Sequence, residues 1–151
     1  MSLINHDYPF IPEKIGPGVW YIIHSNAIIS KTRQQKDEFI QMINHLSKTF
    51  PCEKCRVHFQ EFLKAKPISK YYNTKVSETN EDIGMFYWSW RFHNNVNRRL
   101  NKKTLSFSDA YYLYNDISVS CESCKIKNNN FFQNVDLNDK KYQEIFNAIK
   151  K

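Results

Sequence analysis

Glycine is nearly missing, with 3 in 151 residues. Phosphate-cradling loops and turn-rich all-β folds both use glycine where the backbone must turn tightly or approach a ligand closely, so both are argued against. Long apolar runs are missing too. The longest, Val19 to Ile23, is five residues, against the roughly 18 to 20 needed to cross a bilayer. The N-terminus turns polar at Asn5, His6 and Asp7 and lacks the charged-then-apolar order of a secretory leader. No stretch of four to eight residues alternates cleanly between apolar and polar, so strands have no signal. Acidic residues are in deficit, 15 against 22 Lys and Arg, for a net charge of +7. That surplus permits nucleic acid, another acidic partner or an anionic cofactor, and selects none of them.

What is present is helical periodicity. Trp20, Ile23, His24, Ala27 and Ile28 recur at helical spacing and predict a helix over about 17–31, with Pro17 in its first turn. Phe39, Met42, Ile43 and Leu46 predict a second over 33–49. A third starts at or just after Pro51 and is stopped by Pro67, and residues 67–80 read as a polar loop. Thr79 and Asp82 have capping-box spacing before a long helix over 81–100, and Ser106 and Asp109 repeat it before a short fifth helix through Tyr114. The expected fold is all-α, a four-helix bundle with a short fifth helix. Residues 1–15 read as an arm, 16–116 as the domain and 117–151 as a tail, with a last helix over 138–150.

The four cysteines form two tight pairs, Cys52-x-x-Cys55 and Cys121-x-x-Cys124. Paired CxxC denotes redox chemistry or metal rather than an extracellular staple framework. Cys52 and Cys55 fall on the first turn of a helix, where free N–H groups and the dipole favour a thiolate, and Lys54 and Arg56 add positive charge. Two intervening residues let the sulfurs close a disulfide. The alternative is an all-cysteine zinc site, with His58 able to replace one ligand, although 65 residues separate the pairs. The motif alone leaves both open.

On the long helix, Phe92, Val96 and Leu100 step by four into an apolar ridge, and His93 and Asn97 stack on the adjacent face with Asn94 beside them. A histidine and amides beside an apolar ridge suit a flat heterocycle. Arg98, Arg99, Lys102 and Lys103 follow, where they could neutralise a pyrophosphate. A core histidine on an amphipathic helix with a solvated basic end is the plainer reading of the same residues.

Three blocks together resemble the Erv/ALR family of FAD-linked sulfhydryl oxidases, in that family's order: Gly16-x-x-x-Trp20-x-x-x-His24, Phe50-Pro51-Cys52-x-x-Cys55, and Trp88 followed by His93-Asn94-x-Val96-Asn97-x-x-Leu100. The likeness spans about residues 15 to 115. It implies a small helical bundle holding FAD, usually a homodimer. It implies that Gly16, Trp20, His24, Trp88, His93, Asn94, Val96, Asn97 and Leu100 surround the cofactor, that Arg99 and Lys102 lie near its phosphates, that Cys55 lies against the isoalloxazine and that Cys52 faces outward. Two departures stand out. Pro17 replaces a frequent arginine. Trp90 occupies the place where many cellular members carry a structural cysteine, so Tyr111, Tyr112 and Tyr114 are expected to secure the last helix by packing. The short pattern is most similar to members encoded by large cytoplasmic DNA viruses.

The activity this resemblance implies is disulfide formation in a dithiol protein substrate or redox relay protein, with electrons passing through Cys52 and Cys55 to FAD and then to O2, giving H2O2. Cys121 and Cys124 would be a shuttle disulfide. The expected place is the host cytoplasm at a virus assembly site, or the virion, with the mitochondrial intermembrane space as the alternative. No nucleic acid, membrane span or metal enters this reading. The competing one is a zinc-stabilised, basic, helical nucleic-acid-binding module.

Overall fold

A computed structural model describes residues 12–119. Most of the expected arm, the Cys121/Cys124 pair and the expected helix over 138–150 lie outside the described residues. Among the described residues five α-helices follow one another: α1 (Pro12–Ile29), α2 (Arg33–Thr49), α3 (Glu53–Ala65), α4 (Gly84–Arg99) and α5 (Phe107–Val119). A single 3-10 turn spans Ile68–Tyr71. Among the described residues there is no strand, only an isolated bridge between Lys75 and Asp82. The all-α expectation holds.

Local chemistry sets the boundaries. Thr32 caps α2 reciprocally: its Oγ1 accepts from the Gln35 N–H at 3.2 Å, and Gln35 Oε1 accepts from the Thr32 N–H at 3.0 Å. At the start of α5 the capping half of the Ser106–Asp109 box forms, with the Asp109 N–H on Ser106 Oγ at 3.1 Å, and the Asp109 carboxylate accepts from the Ser106 hydroxyl at 2.7 Å.

Three boundaries differ from the sequence reading. α1 starts at Pro12 and carries Pro17 inside it, so the first-turn proline is Pro12. The Thr79–Asp82 box does not form, and α4 starts at Gly84. Asp82 is engaged elsewhere: its Oδ1 accepts from the Gly84 N–H at 3.1 Å, and its Oδ2 pairs with the buried Lys36 ammonium. Lys36 also donates to the Tyr72 carbonyl at 2.7 Å, so this buried charge is paired and hydrogen-bonded. α5 continues to Val119, past the expected end at Tyr114.

α4 is the axis of the bundle. Trp88, without exposed surface, meets Phe62 of α3 and Phe39 of α2 edge-on, at 5.8 and 6.3 Å between ring centroids. Its indole N–H donates to the Lys66 carbonyl at 2.8 Å, so the buried ring leaves no orphan donor. At the other side of α4, Phe86 receives Tyr111 and Tyr114 of α5 at 5.5 and 5.8 Å. Two of the three tyrosines therefore hold α5 as expected. Tyr112 does not, being 68% exposed.

Candidate active site

α3 begins at the first cysteine pair. Cys52 is the N-cap residue, and its Sγ accepts from the Cys55 N–H at 3.2 Å. The two residues are joined as a disulfide, with Cα atoms 5.1 Å apart. The preceding bend is held by Arg56, whose guanidinium donates to the Phe50 carbonyl. The pair thus sits among the unpaired N–H groups of a helix start, where negative charge on sulfur is favoured.

Beside it lies a cleft of about 270 Å³ between α1, the start of α3 and the end of α4. Cys55 lines this cleft and Cys52 does not. Its walls are aromatic and aliphatic: Trp20 and Ile23 from α1, Phe50 and Phe59 around the dithiol, Phe92, Val96 and Leu100 along α4. Phe92 packs between Phe59, stacked at 4.4 Å, and Trp20, edge-on at 5.1 Å. The ridge expected on α4 is therefore partly core and partly cleft wall.

Trp20 stacks on His93 with centroids 4.0 Å apart and planes 5° from parallel. Behind His93 stands His24, with its Nε2 2.8 Å from His93 Nδ1 and its Nδ1 2.9 Å from Ser89 Oγ. Both rings are held neutral. Burial, and next the neighbouring His93, holds His24 well below the ordinary histidine range. Burial, and next the Lys102 charge, lowers His93 from 6.5 to about 3. Tyr114 closes the far side at 4.8 Å from the His24 ring, and burial pushes its phenol up.

The positive end is shaped by how α4 stops. Asn101 is left-handed at φ 56°. Its N–H donates to the Arg98 carbonyl at 3.1 Å, and the Lys102 N–H donates to the Asn97 carbonyl at 2.7 Å. This is a Schellman end with asparagine in the position usually held by glycine. It turns the chain back so that Lys102 lines the cleft together with Arg99. Among the described residues no acidic side chain lines the cleft. Flat apolar walls, two cations and a dithiol at one side suit a planar heterocycle bearing phosphates.

The structure brings Gly16, Trp20, Cys55, His93, Val96, Asn97, Arg99, Leu100 and Lys102 to this cleft. Trp88, His24 and Asn94 stand behind it. Trp88 is core, and His24 backs His93. Asn94 clasps the backbone of Leu105, donating to its carbonyl at 2.8 Å and accepting from its N–H at 3.2 Å. Pro17, Val19, Ile23, Phe50, His58, Phe59 and Phe92 line the cleft without having been expected there. Val19 and Ile23 carried a signal, since they share the helical face of Trp20 and Gly16. The sequence offers His58 as a substitute ligand in the zinc alternative. Among the described residues no cluster of three metal-binding side chains exists.

Comparison with known proteins agrees with this architecture. The Erv1 / Alr family model matches residues 17–117. A FAD-linked sulfhydryl oxidase of African swine fever virus is 34% identical over 102 residues, covering 66% of this chain and 78% of that protein. A putative FAD-linked sulfhydryl oxidase of Frog virus 3 is 31% identical, covering 70% of this chain and 69% of that protein. The FAD-linked sulfhydryl oxidase ERV1 of Arabidopsis thaliana is 31% identical over 78% of this chain and 59% of its own. In fold, the chain is similar to the crystal structure of the yeast Erv1 core, with TM-score 0.57, 22% identity, and coverage of 76% of this chain and 98% of that one. With the family model spanning most of the chain, the protein belongs to the Erv1/Alr family.

Proposed function

We propose that the protein is an FAD-dependent thiol oxidase that makes disulfides in protein substrates. The observation that carries this reading is a helix-start disulfide with one sulfur lining an aromatic, cationic cleft and the other outside it. The names of its relatives support it. The zinc-stabilised alternative has no comparable support, since two of its four ligands are bonded to each other.

A substrate thiolate attacks Cys52 Sγ. The Cys52–Cys55 bond breaks, a mixed disulfide forms, and Cys55 leaves as a thiolate favoured by the start of α3. The second substrate thiolate attacks the substrate sulfur of the mixed disulfide, and Cys52 leaves. The substrate has lost two electrons, and the cysteine pair holds them. FAD, when bound, supplies the two-electron acceptor that restores the disulfide and passes the pair to O2, giving H2O2. Trp20, Phe92, Val96 and Leu100 would hold its rings, Arg99 and Lys102 its phosphates, and the apolar walls exclude water around Cys55.

Three finer points belong to the same proposal. Cys121 and Cys124 act as a shuttle that relays electrons from bulky substrates to Cys52. If a Cys121→Ala, Cys124→Ala variant oxidises a protein substrate at the parent rate, the shuttle fails. The working unit is a homodimer through the outer faces of α1 and α2. Ile15, Ile22 and Ile29, 39%, 52% and 52% exposed and seven residues apart on α1, support it. No described helix is long and apolar enough to cross a membrane. The place proposed is the host cytoplasm or virion, on the strength of the viral relatives.

The test is an absorption spectrum of the purified protein, followed by dithiothreitol in air. A flavin band with oxygen consumption and peroxide is expected. A colourless protein that consumes no oxygen overturns the reading.

A further inference from the structure

The deepest polar groups of the bundle form a single file that ends at the cleft. Ser89 has no exposed surface, and its Oγ lies 2.8 Å from the Phe86 carbonyl oxygen. The same Oγ lies 2.9 Å from His24 Nδ1. His24 Nε2 lies 2.8 Å from His93 Nδ1, and His93 lines the cleft. A carbonyl cannot donate, so this file has a direction.

The serine hydroxyl has one proton. Given to His24, it would leave two oxygen lone pairs facing each other at the Ser89–Phe86 contact. It therefore goes to the Phe86 carbonyl, and Ser89 Oγ accepts from His24 Nδ1–H. A neutral imidazole carries one N–H, so His24 Nε2 is bare and accepts from His93 Nδ1–H. His93 in turn is left with a bare Nε2, the nitrogen not turned towards His24. Burial keeps both rings neutral, so neither nitrogen gains a second proton at ordinary pH.

We propose that Ser89 is a positioning residue of the cofactor site. Its hydroxyl orients the His24–His93 pair so that His93 presents an acceptor, Nε2, to an N–H or O–H donor of the bound flavin nucleotide. The ligand half of this rests on the FAD reading, whereas the direction of the file does not. Ser89 touches no ligand and acts through two rings. Trp20, stacked flat on His93, prevents the acceptor from swinging away.

The experiment is long-range 1H–15N correlation on the full chain labelled at histidine nitrogens, without and with FAD, at neutral pH. Expected are Nδ1–H on both His24 and His93, the reverse of the tautomer an imidazole side chain prefers in water. On loading FAD, His93 Nε2 should move towards the shift of an accepted hydrogen bond while Nδ1 keeps its proton. A proton on Nε2 of either ring overturns the direction of the file. An Nε2 resonance unmoved in an FAD-saturated protein overturns the ligand half. A protein with the expected tautomers that binds no flavin overturns the FAD reading and that same half, and is told apart because no saturation occurs.

Ser89→Ala supplies the second measurement. With helicity and flavin-free unfolding checked alongside, it should lose the fixed tautomer of His24 and bind FAD about three- to tenfold more weakly, the worth of one hydrogen bond. A folded Ser89→Ala protein with unchanged tautomers and unchanged FAD affinity overturns the positioning role.

Discussion

Trp90 donates its indole N–H to the carbonyl of Leu105 at 2.8 Å. Trp90 stands where cellular members of the family are expected to have a cysteine that pins the last helix. Here the link is non-covalent but shared. Asn94, one turn further on, holds the same Leu105 by both its carbonyl and its N–H, and Phe107 meets the Trp90 ring edge-on at 5.5 Å. Three contacts on one short connection fix where α5 begins. Trp90→Phe keeps most of the packing and loses the hydrogen bond, so it should lower unfolding stability by about 1 kcal/mol. Trp90→Ala also opens space beside Phe107 and should cost about 3 kcal/mol. Urea unfolding in the flavin-free state checks both: a Trp90→Phe variant as stable as the parent would show that the hydrogen bond contributes nothing, and equal costs would show that the packing beside Phe107 contributes nothing.

Much of this architecture was legible in the sequence because it rests on local rules. The capping residues Thr32 and Ser106, the breakers Pro51 and Pro67, and the helical stripe of Phe39 and Ile43 all act over a few residues. The start of α4 was not legible. Asp82 has the right spacing to serve Thr79, but a lysine 46 positions earlier competes for it, and sequence spacing carries no trace of that pairing. The site divides in the same way. The order of blocks pointed to Trp20, Cys55, His93 and Lys102. It could not separate side chains lining the cleft from those one layer behind. Asn94 and Trp88 are the instances, since the Asn94 amide is committed to the carbonyl and N–H of Leu105 and the Trp88 indole N–H to the Lys66 carbonyl.

Gly84 shows a requirement that periodicity never reveals. A Cβ built there would lie 2.0 Å from the Tyr71 carbonyl oxygen, a backbone atom that cannot step aside. Gly84→Ala should therefore push the 3-10 turn off α4 and cost about 1 to 3 kcal/mol, although alanine is the better helix former. Thermal unfolding checks the sign. A stabilised variant would mean that this junction yields freely.

The two sulfurs should separate in mutants. Cys55→Ser and Cys52→Ser should each abolish steady-state oxidation of dithiothreitol, because neither leaves a disulfide to accept electrons. Only Cys55 lines the cleft, so Cys52→Ser, which frees Cys55 there as a thiolate, should add a long-wavelength thiolate–flavin band to the resting spectrum, and Cys55→Ser, which frees only the outer sulfur, should not. Identical spectra for the two variants would count against the position of Cys55.

Stability should fall in mild acid. His24 and His93 are ordinary histidines in the unfolded chain and are depressed in the fold, His93 from 6.5 to about 3. Between those values the unfolded state binds more protons than the native one. The His93 contribution is complete above about pH 6.5 and is lost as pH falls towards about 3, and that of His24 is lost in the same direction. Each histidine contributes at most about 1.4 kcal/mol per pH unit within the window. Denaturation midpoints measured at several pH values check this, and His24→Phe should flatten the slope. A slope unchanged in that variant would assign the acid sensitivity to carboxylates instead.

Lys102 reaches the cleft only because α4 ends in a left-handed residue. Asn101 holds φ 56°, which asparagine tolerates, glycine adopts freely and a β-branched residue resists. Asn101→Gly should leave the turn and flavin affinity near the parent values. Asn101→Val should distort the Schellman end, carry Lys102 away and weaken FAD binding. Lys102→Gln should weaken it as well, and should also raise the His93 pKa by removing the positive charge that helps depress it. Lys102→Gln should reduce the salt dependence of FAD binding, since a screened charge has been removed. Flavin fluorescence titrations at two ionic strengths separate the cases. If Asn101→Val binds FAD as tightly as Asn101→Gly, the geometry of the helix end does not place the charge, and Lys102 finds the cleft by its own side-chain length.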